Sequence, residues 1–160
     1  MLYRKRLTRD QALQKLRQFC GYQERCHQEV RDKLCSLGVK PADREEIIAQ
    51  LISDNYLNEE RFAIAFAGGR FRIKSWGKIK IRHELRLREV SDYCIRKALG
   101  EIDDGQYKEV LFRLAREKFN SFEEAAPLQK KKKLSGYLTM RGFEAAAVRE
   151  AVEYVSVEQN

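Results

Sequence analysis

The chain has 160 residues, of which 43% are hydrophobic and 35% charged, so it can bury a core and is not an intrinsically disordered chain. Nine glycines and two prolines make it poor in turn formers against an average of roughly 12%, which points to helices joined by few, short loops. The formal charge of +8 favours a polyanionic partner or an acidic protein surface, and no apolar run approaches the roughly 18 residues of a membrane span.

The basic opening MLYRKRLTRD leads into an amphipathic pattern rather than a signal core, so a cytoplasmic location is expected. In that reducing compartment Cys20, Cys26, Cys35 and Cys94 are expected to be free thiols. The pattern predicts a first helix over Thr8–Gly21, with Thr8 and Gln11 at capping-box spacing and Leu13, Leu16 and Cys20 recurring behind them. A second helix is predicted over Gln23–Leu37, with Cys26, Val30, Leu34 and Leu37 on one face and Gly38 as its stop. Pro41 suits the first turn of a third helix carrying Ile47, Ile48, Leu51 and Ile52. Asn58 reads as the N-cap of a fourth, whose inner face is expected to hold Phe62, Phe66, Gly69 and Ile73.

Residues 70–88 admit two readings. RFRIK and KIKIR alternate basic and apolar residues at the strand period, with SWG as a hairpin turn between them. The rival is a helix ending near Lys74, a turn at Ser75–Gly77 and a new helix to Arg88, with Ile81 and Leu85 four apart. Internal symmetry decides for the helices. Leu34-Cys-Ser-Leu-Gly38-Val39, Leu85-Arg-Leu-Arg-Glu89-Val90 and Leu138-Thr-Met-Arg-Gly142-Phe143 superpose, at intervals of about fifty residues. A short helix with an apolar pair follows each: Ile47/Leu51, Ile95/Leu99 and Val148/Val152. A seventh helix is expected over Asp104–Asn120, with Tyr107, Leu111, Leu114 and Lys118 on one stripe. A linker over Ser121–Pro127 precedes the eighth.

The expected fold is therefore all-α: three tandem three-helix repeats, helix-turn-helix-like, in an elongated, curved array. Residues 8–56, 57–102 and 103–155 form the repeats, between a basic arm at 1–7 and a frayed tail at 156–160.

No catalytic grouping emerges. Cys26-His27 beside Cys20 and Cys35 matches no common zinc spacing, and His83 stands apart, so no metal and no cofactor is expected. Asp103-Asp104 and Glu123-Glu124 read as caps and solvent-facing charge, and Gly68-Gly69 belongs to no phosphate-binding fingerprint. An enzyme is not expected.

Charge is the informative feature. Arg70, Arg72, Lys74, Lys78, Lys80, Arg82, Arg86 and Arg88 face only Glu84, a local charge of +7. Lys130, Lys131, Lys132 and Lys133 add +4, and the start of the chain about +3. The rest of the chain is net acidic, so charge is segregated. These cations read either as solvated helix faces or as a phosphate-contacting surface in the central repeat, and the segregation favours the second. Phe71 and Trp76 sit among them. They could stack on exposed bases, although for Trp76 the stronger expectation is core between repeats.

Leu57-Asn58-Glu59-Glu60-Arg61-Phe62-Ala63, with Arg70 and with Gly77-Lys-Ile-Lys-Ile-Arg-His-Glu-Leu85, resembles the signature of the RecX family of recombination regulators. The later Arg141-Gly142-Phe143 fits it too, and the likeness runs over about residues 10–155. The resemblance implies a non-enzymatic protein that binds the RecA recombinase and its filament on single-stranded DNA, and a monomer is expected. Such a protein restrains ATP hydrolysis, strand exchange and coprotease activity. The motif residues Leu57, Asn58, Glu60, Arg61, Phe62, Ala63, Gly77, Leu85, Arg141, Gly142 and Phe143 are expected to be structural, with Arg61 pairing to a neighbouring acid. Three departures stand out: Glu59 or Glu60 where Asp is common, a few extra residues around Lys40–Arg44, and Glu89 in place of Gly. The last predicts a turn without a left-handed cap. The alternative to this function is a stand-alone helical DNA-binding protein of helix-turn-helix type.

Overall fold

A computed structural model describes residues 6–123 and 126–158. Arg4 and Lys5 of the expected arm, Glu124 of the acidic pair and residues 159–160 of the expected tail lie outside them. The described residues form nine α-helices and no strand: α1 (Arg9–Tyr22), α2 (His27–Ser36), α3 (Pro41–Ser53), α4 (Glu59–Lys74), α5 (Lys78–Leu87), α6 (Asp92–Gly100), α7 (Asp104–Ser121), α8 (Pro127–Met140) and α9 (Ala145–Glu158). The hairpin reading of residues 70–88 is thereby set aside. Alternation of charged and apolar residues over so few positions also fits a helix that buries only Ile81 and Leu85, both 0% exposed.

Helix starts follow the sequence chemistry. Thr8 and Gln11 form the reciprocal capping box. Asn58 Oδ1 accepts from the Arg61 N–H at 2.8 Å, and Asp103 Oδ2 from the Gln106 N–H at 2.9 Å. Pro41 and Pro127 occupy first turns, where a missing N–H costs nothing. The second helix begins later than expected, at His27 rather than near Gln23. Gln23 is extended, and Arg25 folds back onto the end of α1. Its Nε donates to the Phe19 carbonyl at 3.0 Å, and its guanidinium lies 3.8 Å from the Phe19 ring centroid. Cys26 then takes the N-cap position, its own N–H donating to Glu29 Oε1 at 3.3 Å.

The recurring Leu-x-x-x-Gly-apolar pattern is one structure made three times, the end of a helix. At each, the N–H of the final apolar residue donates to the carbonyl of the anchor leucine: Val39 to Leu34, Val90 to Leu85, and Phe143 to Leu138, at 3.1–3.2 Å. This is the six-to-one bond of a Schellman cap. The three leucines are fully buried, and Val39, Val90 and Phe143 are nearly so. Gly38 (φ 72°) and Gly142 (φ 95°) supply the left-handed residue, and Glu89 (φ 59°) supplies it in the second copy. The expectation that this turn lacks a left-handed cap is therefore corrected. The cap forms because the bonds and the burial of Leu85 and Val90 outweigh the strain of a Cβ there, about 1–2 kcal/mol.

The chain divides into two compact units, Met1–Ala65 with Leu85–Lys97, and Phe66–Glu84 with Ala98–Asn160. In the first, α1, α2 and α3 pack together around Leu16, Val30, Leu34, Ile47 and Leu51. Arg61 clamps the α3–α4 turn: it pairs with Glu24 and donates to the carbonyls of Asn55 and Tyr56. Glu59 accepts from the Ser91 N–H, and Ser91 Oγ caps α6 through the Cys94 N–H.

In the second unit α7, α8 and α9 pack together, and the start of α5 docks on the α8–α9 turn. The Gly77 N–H donates to the Arg141 carbonyl at 2.8 Å and the Ile79 N–H to that of Gly142 at 2.9 Å. Between them, the Lys78 N–H donates to the Tyr107 hydroxyl at 3.0 Å, which itself donates to Glu144 Oε2 at 2.9 Å. Three orphan donors of a helix start are thus met by tertiary acceptors. The approach has no room for side chains. A Cβ on Gly77 would lie 2.3 Å from the Gly142 backbone, and one on Gly142 would lie 2.3 Å from Lys80 Cβ. Arg141 closes the node, donating to the Lys74 carbonyl at 2.7 Å. Tyr107 packs between Phe71 (5.7 Å) and Phe143 (5.3 Å), and burial holds its phenol well above the usual range.

Two expectations about α4 change. Its buried face is Phe62, Ala63, Ala67 and Phe71, while Ile73 is 83% exposed. Two alanines rather than the Phe66–Ile73 stripe therefore line the buried face. Phe71 is 3% exposed and cannot meet a base.

Substitution at the three caps should separate strain from crowding. Gly142→Ala is expected to cost about 3 kcal/mol or more. Gly38→Ala, whose Cβ would meet nothing within 4 Å, should cost about 1–2 kcal/mol. Glu89→Gly should stabilise by about 0.5–1 kcal/mol, relief of strain less the added entropy of the unfolded chain. Urea unfolding of the three variants checks the order. Thiol reactivity checks the core: Cys35 is exposed, whereas Cys20, Cys26 and Cys94 are buried, and burial pushes the Cys20 and Cys26 thiols up. One thiol should react quickly with an aromatic disulfide reagent in the native protein, and the other three only as it unfolds.

Candidate nucleic-acid interface

The basic residues singled out in the sequence divide between the units. Arg86 and Arg88 belong to the first unit, where Arg86 Nε lies 3.6 Å from Asp92 Oδ1. Arg70, Arg72, Lys74, Lys78, Lys80, Arg82 and Lys130–Lys133 belong to the second.

In the second unit the cations differ in what they touch. Lys78 is engaged, its Nζ 3.6 Å from Asp104 Oδ1 and 4.8 Å from the Tyr107 ring centroid. Lys131 lies 3.3 Å from Glu153, an exposed pair of small energetic weight. Among the described residues, Arg70, Arg72, Lys74, Lys80 and Arg82 have no carboxylate partner. Arg72 lays its guanidinium along α4 over Gly68, whose missing side chain makes the space. Lys74 is exposed at the end of that helix, with Arg82 and Lys80 half-buried on α5.

The structure brings Arg70 and Lys80 together on Trp76. The Arg70 guanidinium lies 5.4 Å from the Trp76 ring centroid and 4.7 Å from that of Phe66. Lys80 Nζ lies 4.6 Å from the Trp76 ring. Trp76 is only half-buried, which corrects the expectation that it is core. Ser75 ends α4 in the left-handed region (φ 55°), and the Trp76 N–H then donates to the Arg70 carbonyl at 3.2 Å. That turn holds the indole beside its two cations. Cation–π contact fixes such cations without cancelling their charge.

A second basic and aromatic group lies at the α7–α8 junction. Lys118 Nζ is 4.8 Å from the Tyr137 ring and 5.8 Å from that of Phe122. Lys130 lies over Phe119 at 5.2 Å and Lys133 over Phe122 at 6.0 Å, while Lys132 is exposed. Counting charge alone found Lys130–Lys133 but missed Lys118, which the helical stripe absorbed. The aromatic residues Phe119, Phe122 and Tyr137 on either side of the lysine run were the available signal. Among the described residues no group of three His, Cys, Asp or Glu is placed to hold a metal ion, and no helix is long and apolar enough to cross a membrane.

Most of the motif residues are buried, cap a helix or make backbone contacts. Leu57, Phe62, Ala63, Leu85 and Phe143 are buried, Asn58 caps α4, and Gly77, Arg141 and Gly142 make the docking node. Glu60 is half-buried on the first turn of α4.

The family model for the second three-helix domain of RecX matches residues 58–99. The regulatory protein RecX of Prosthecochloris aestuarii is 30% identical over 142 residues, covering 89% of this chain and 91% of that protein. That of Bacillus cytotoxicus is 28% identical over 142 residues, and the chain spans about half (53%) of its length, as it does for the RecX of Bacillus mycoides. Among solved structures, the crystal structure of RecX from Lactobacillus salivarius matches with a TM-score of 0.84 at 22% identity, over 93% of this chain and 97% of that one. A second crystal structure of regulatory protein RecX matches at 0.82 and 20% identity, over 91% and 71%. These two share the all-helical fold described above, and with the similarity to the Prosthecochloris protein along most of both chains they lead to one conclusion. The chain belongs to the RecX family of regulatory proteins.

Proposed function

We propose that this chain binds the RecA recombinase and its nucleoprotein filament on single-stranded DNA, and restrains ATP hydrolysis, strand exchange and coprotease activity. The observation that carries the reading is the set of cations on α4 and α5, Arg70, Arg72, Lys74, Lys80 and Arg82, that no carboxylate among the described residues neutralises. Family membership supports the recombinase as the partner. The protein works by occupancy, as a cytoplasmic monomer without a cofactor, and is not an enzyme. Its three-helix repeats, 8–56, 57–102 and 103–155, each end their middle helix on the same cap.

A filament presents phosphate at regular intervals inside a protein groove. A surface with five cations that no carboxylate among the described residues neutralises is attracted to it, which raises the association rate, while fit to the groove supplies selectivity. Held there, the protein favours one filament state or blocks addition of the next recombinase subunit. Neither effect needs bond-making chemistry from this chain.

The test is a titration against the cognate recombinase on single-stranded DNA. The chain is expected to lower the DNA-dependent ATPase at or below equal ratios; an unchanged ATPase with unchanged filament length would overturn the proposal. Arg72→Glu with Arg82→Glu should stay folded and raise the half-inhibitory concentration by about tenfold or more. The salt dependence of binding to single strands should also become shallower, by about 0.7 in log–log slope for each phosphate that the variant no longer neutralises. Tight, salt-steep DNA binding with no effect on the recombinase would instead identify a stand-alone DNA-binding protein of helix-turn-helix type.

A further inference from the structure

We infer that Trp76, flanked by Arg70 and Lys80, is a stacking site for an unpaired base of a single-stranded nucleic acid whose phosphates the two cations take. The inference rests on the polyanion-binding reading of this face and adds to it a ligand chemistry and a contact residue.

Trp76 has the largest apolar side chain in the protein, yet it stays partly exposed while smaller residues on either side of it in sequence are buried, Phe71 and Ile81 among them. The backbone leaves it little freedom. Its own N–H is bonded to the Arg70 carbonyl, and the N–H of the next residue, Gly77, is bonded to the Arg141 carbonyl. Gly77 lies hard against Gly142, so the indole is mounted at the edge of the most constrained approach in the unit. A ring held this way loses little entropy on binding.

Its neighbours select the ligand. Arg70 sits between the Phe66 and Trp76 rings, and its buried Nε has no hydrogen-bond partner among the described residues. Lys80 lies over the same indole. Neither has a carboxylate partner among the described residues. An apolar ligand would leave two cations desolvated and uncompensated, whereas a simple anion would make no use of the ring. A single-stranded nucleic acid offers both parts at once, a π-face to stack and a phosphate within reach of each cation. Lys80, on a flexible stem, can leave the ring for a phosphate and give its place to the base. Arg70, wedged between two rings, keeps its position.

Trp76 is the chain's sole tryptophan, so its emission reports on the site directly. The experiment titrates the whole chain, without recombinase, with oligo(dT) and with an abasic phosphodiester strand of equal length. Oligo(dT) is expected to quench the emission strongly, while the abasic strand binds with little quenching. With labelled strands, Trp76→Ala should weaken oligo(dT) binding by about tenfold and leave abasic-strand binding unchanged, and Trp76→Phe should recover most of the affinity. Equal quenching by both strands, no quenching at saturation, or equal weakening on both strands would overturn the inference. If Trp76→Ala fails to fold, the two quenching curves of the unaltered protein decide alone. Absent quenching beside an intact restraint of the recombinase ATPase removes the stacking site and leaves the proposed function. Quenching without that restraint does the reverse.

Discussion

The close approach of Gly77 and Gly142 is the constraint from which the second unit is built. Two backbones meet with no side chain between them, and the start of one helix gives its donors to the carbonyls at the end of another. A helix start left unmet in a packed interior costs about 1–3 kcal/mol for each orphan donor. Meeting three of them from the α8–α9 turn and Tyr107 ties α5 to α7 and α8 in register. Arg141 extends the tie to the last carbonyl of α4. The positions of Trp76, Lys78 and Lys80 follow, because they stand on either side of the residue that is clamped.

That constraint explains how a surface can be basic without being neutralised. Cations on an ordinary helix find acids three or four residues away and pair with them, as Arg113 does with Glu117. Around the node the two carboxylates, Asp104 and Glu144, are taken by Lys78 and Tyr107, and what the other cations meet is glycine backbone and aromatic rings. Arg70 and Lys80 rest on Trp76, and Arg72 on the bare backbone at Gly68. Rings orient a cation and leave its field intact. The same division holds at the α7–α8 junction, where Lys118 and Lys130 lie over aromatic rings while Lys131 reaches a carboxylate.

Much of the fold was legible in the residues because its signals are local. Thr8, Asn58 and Asp103 cap helices through atoms three residues away, and the Leu-x-x-x-Gly-apolar recurrence is a bond between residues five apart. That recurrence also settled residues 70–88, where alternation by itself favoured strands. Local rules went astray where a distant partner mattered. Helical periodicity assigned Ile73 to the core of α4, but the helix turns toward its alanines. A missing glycine at Glu89 suggested no left-handed cap, but the burial of Leu85 and Val90 forms one regardless.

The sequence by itself therefore determined the helices, their caps, the threefold recurrence, the segregation of charge and the family resemblance, since each depends on neighbours along the chain. Only the tertiary structure decided which cations keep their charge exposed and where Trp76 sits. Both depend on groups far apart in sequence, Asp104 for Lys78, Glu153 for Lys131, and the Gly142 turn for the residue after Trp76. Composition counts a cation wherever it falls. Packing determines whether it meets an acid, a ring or open solvent.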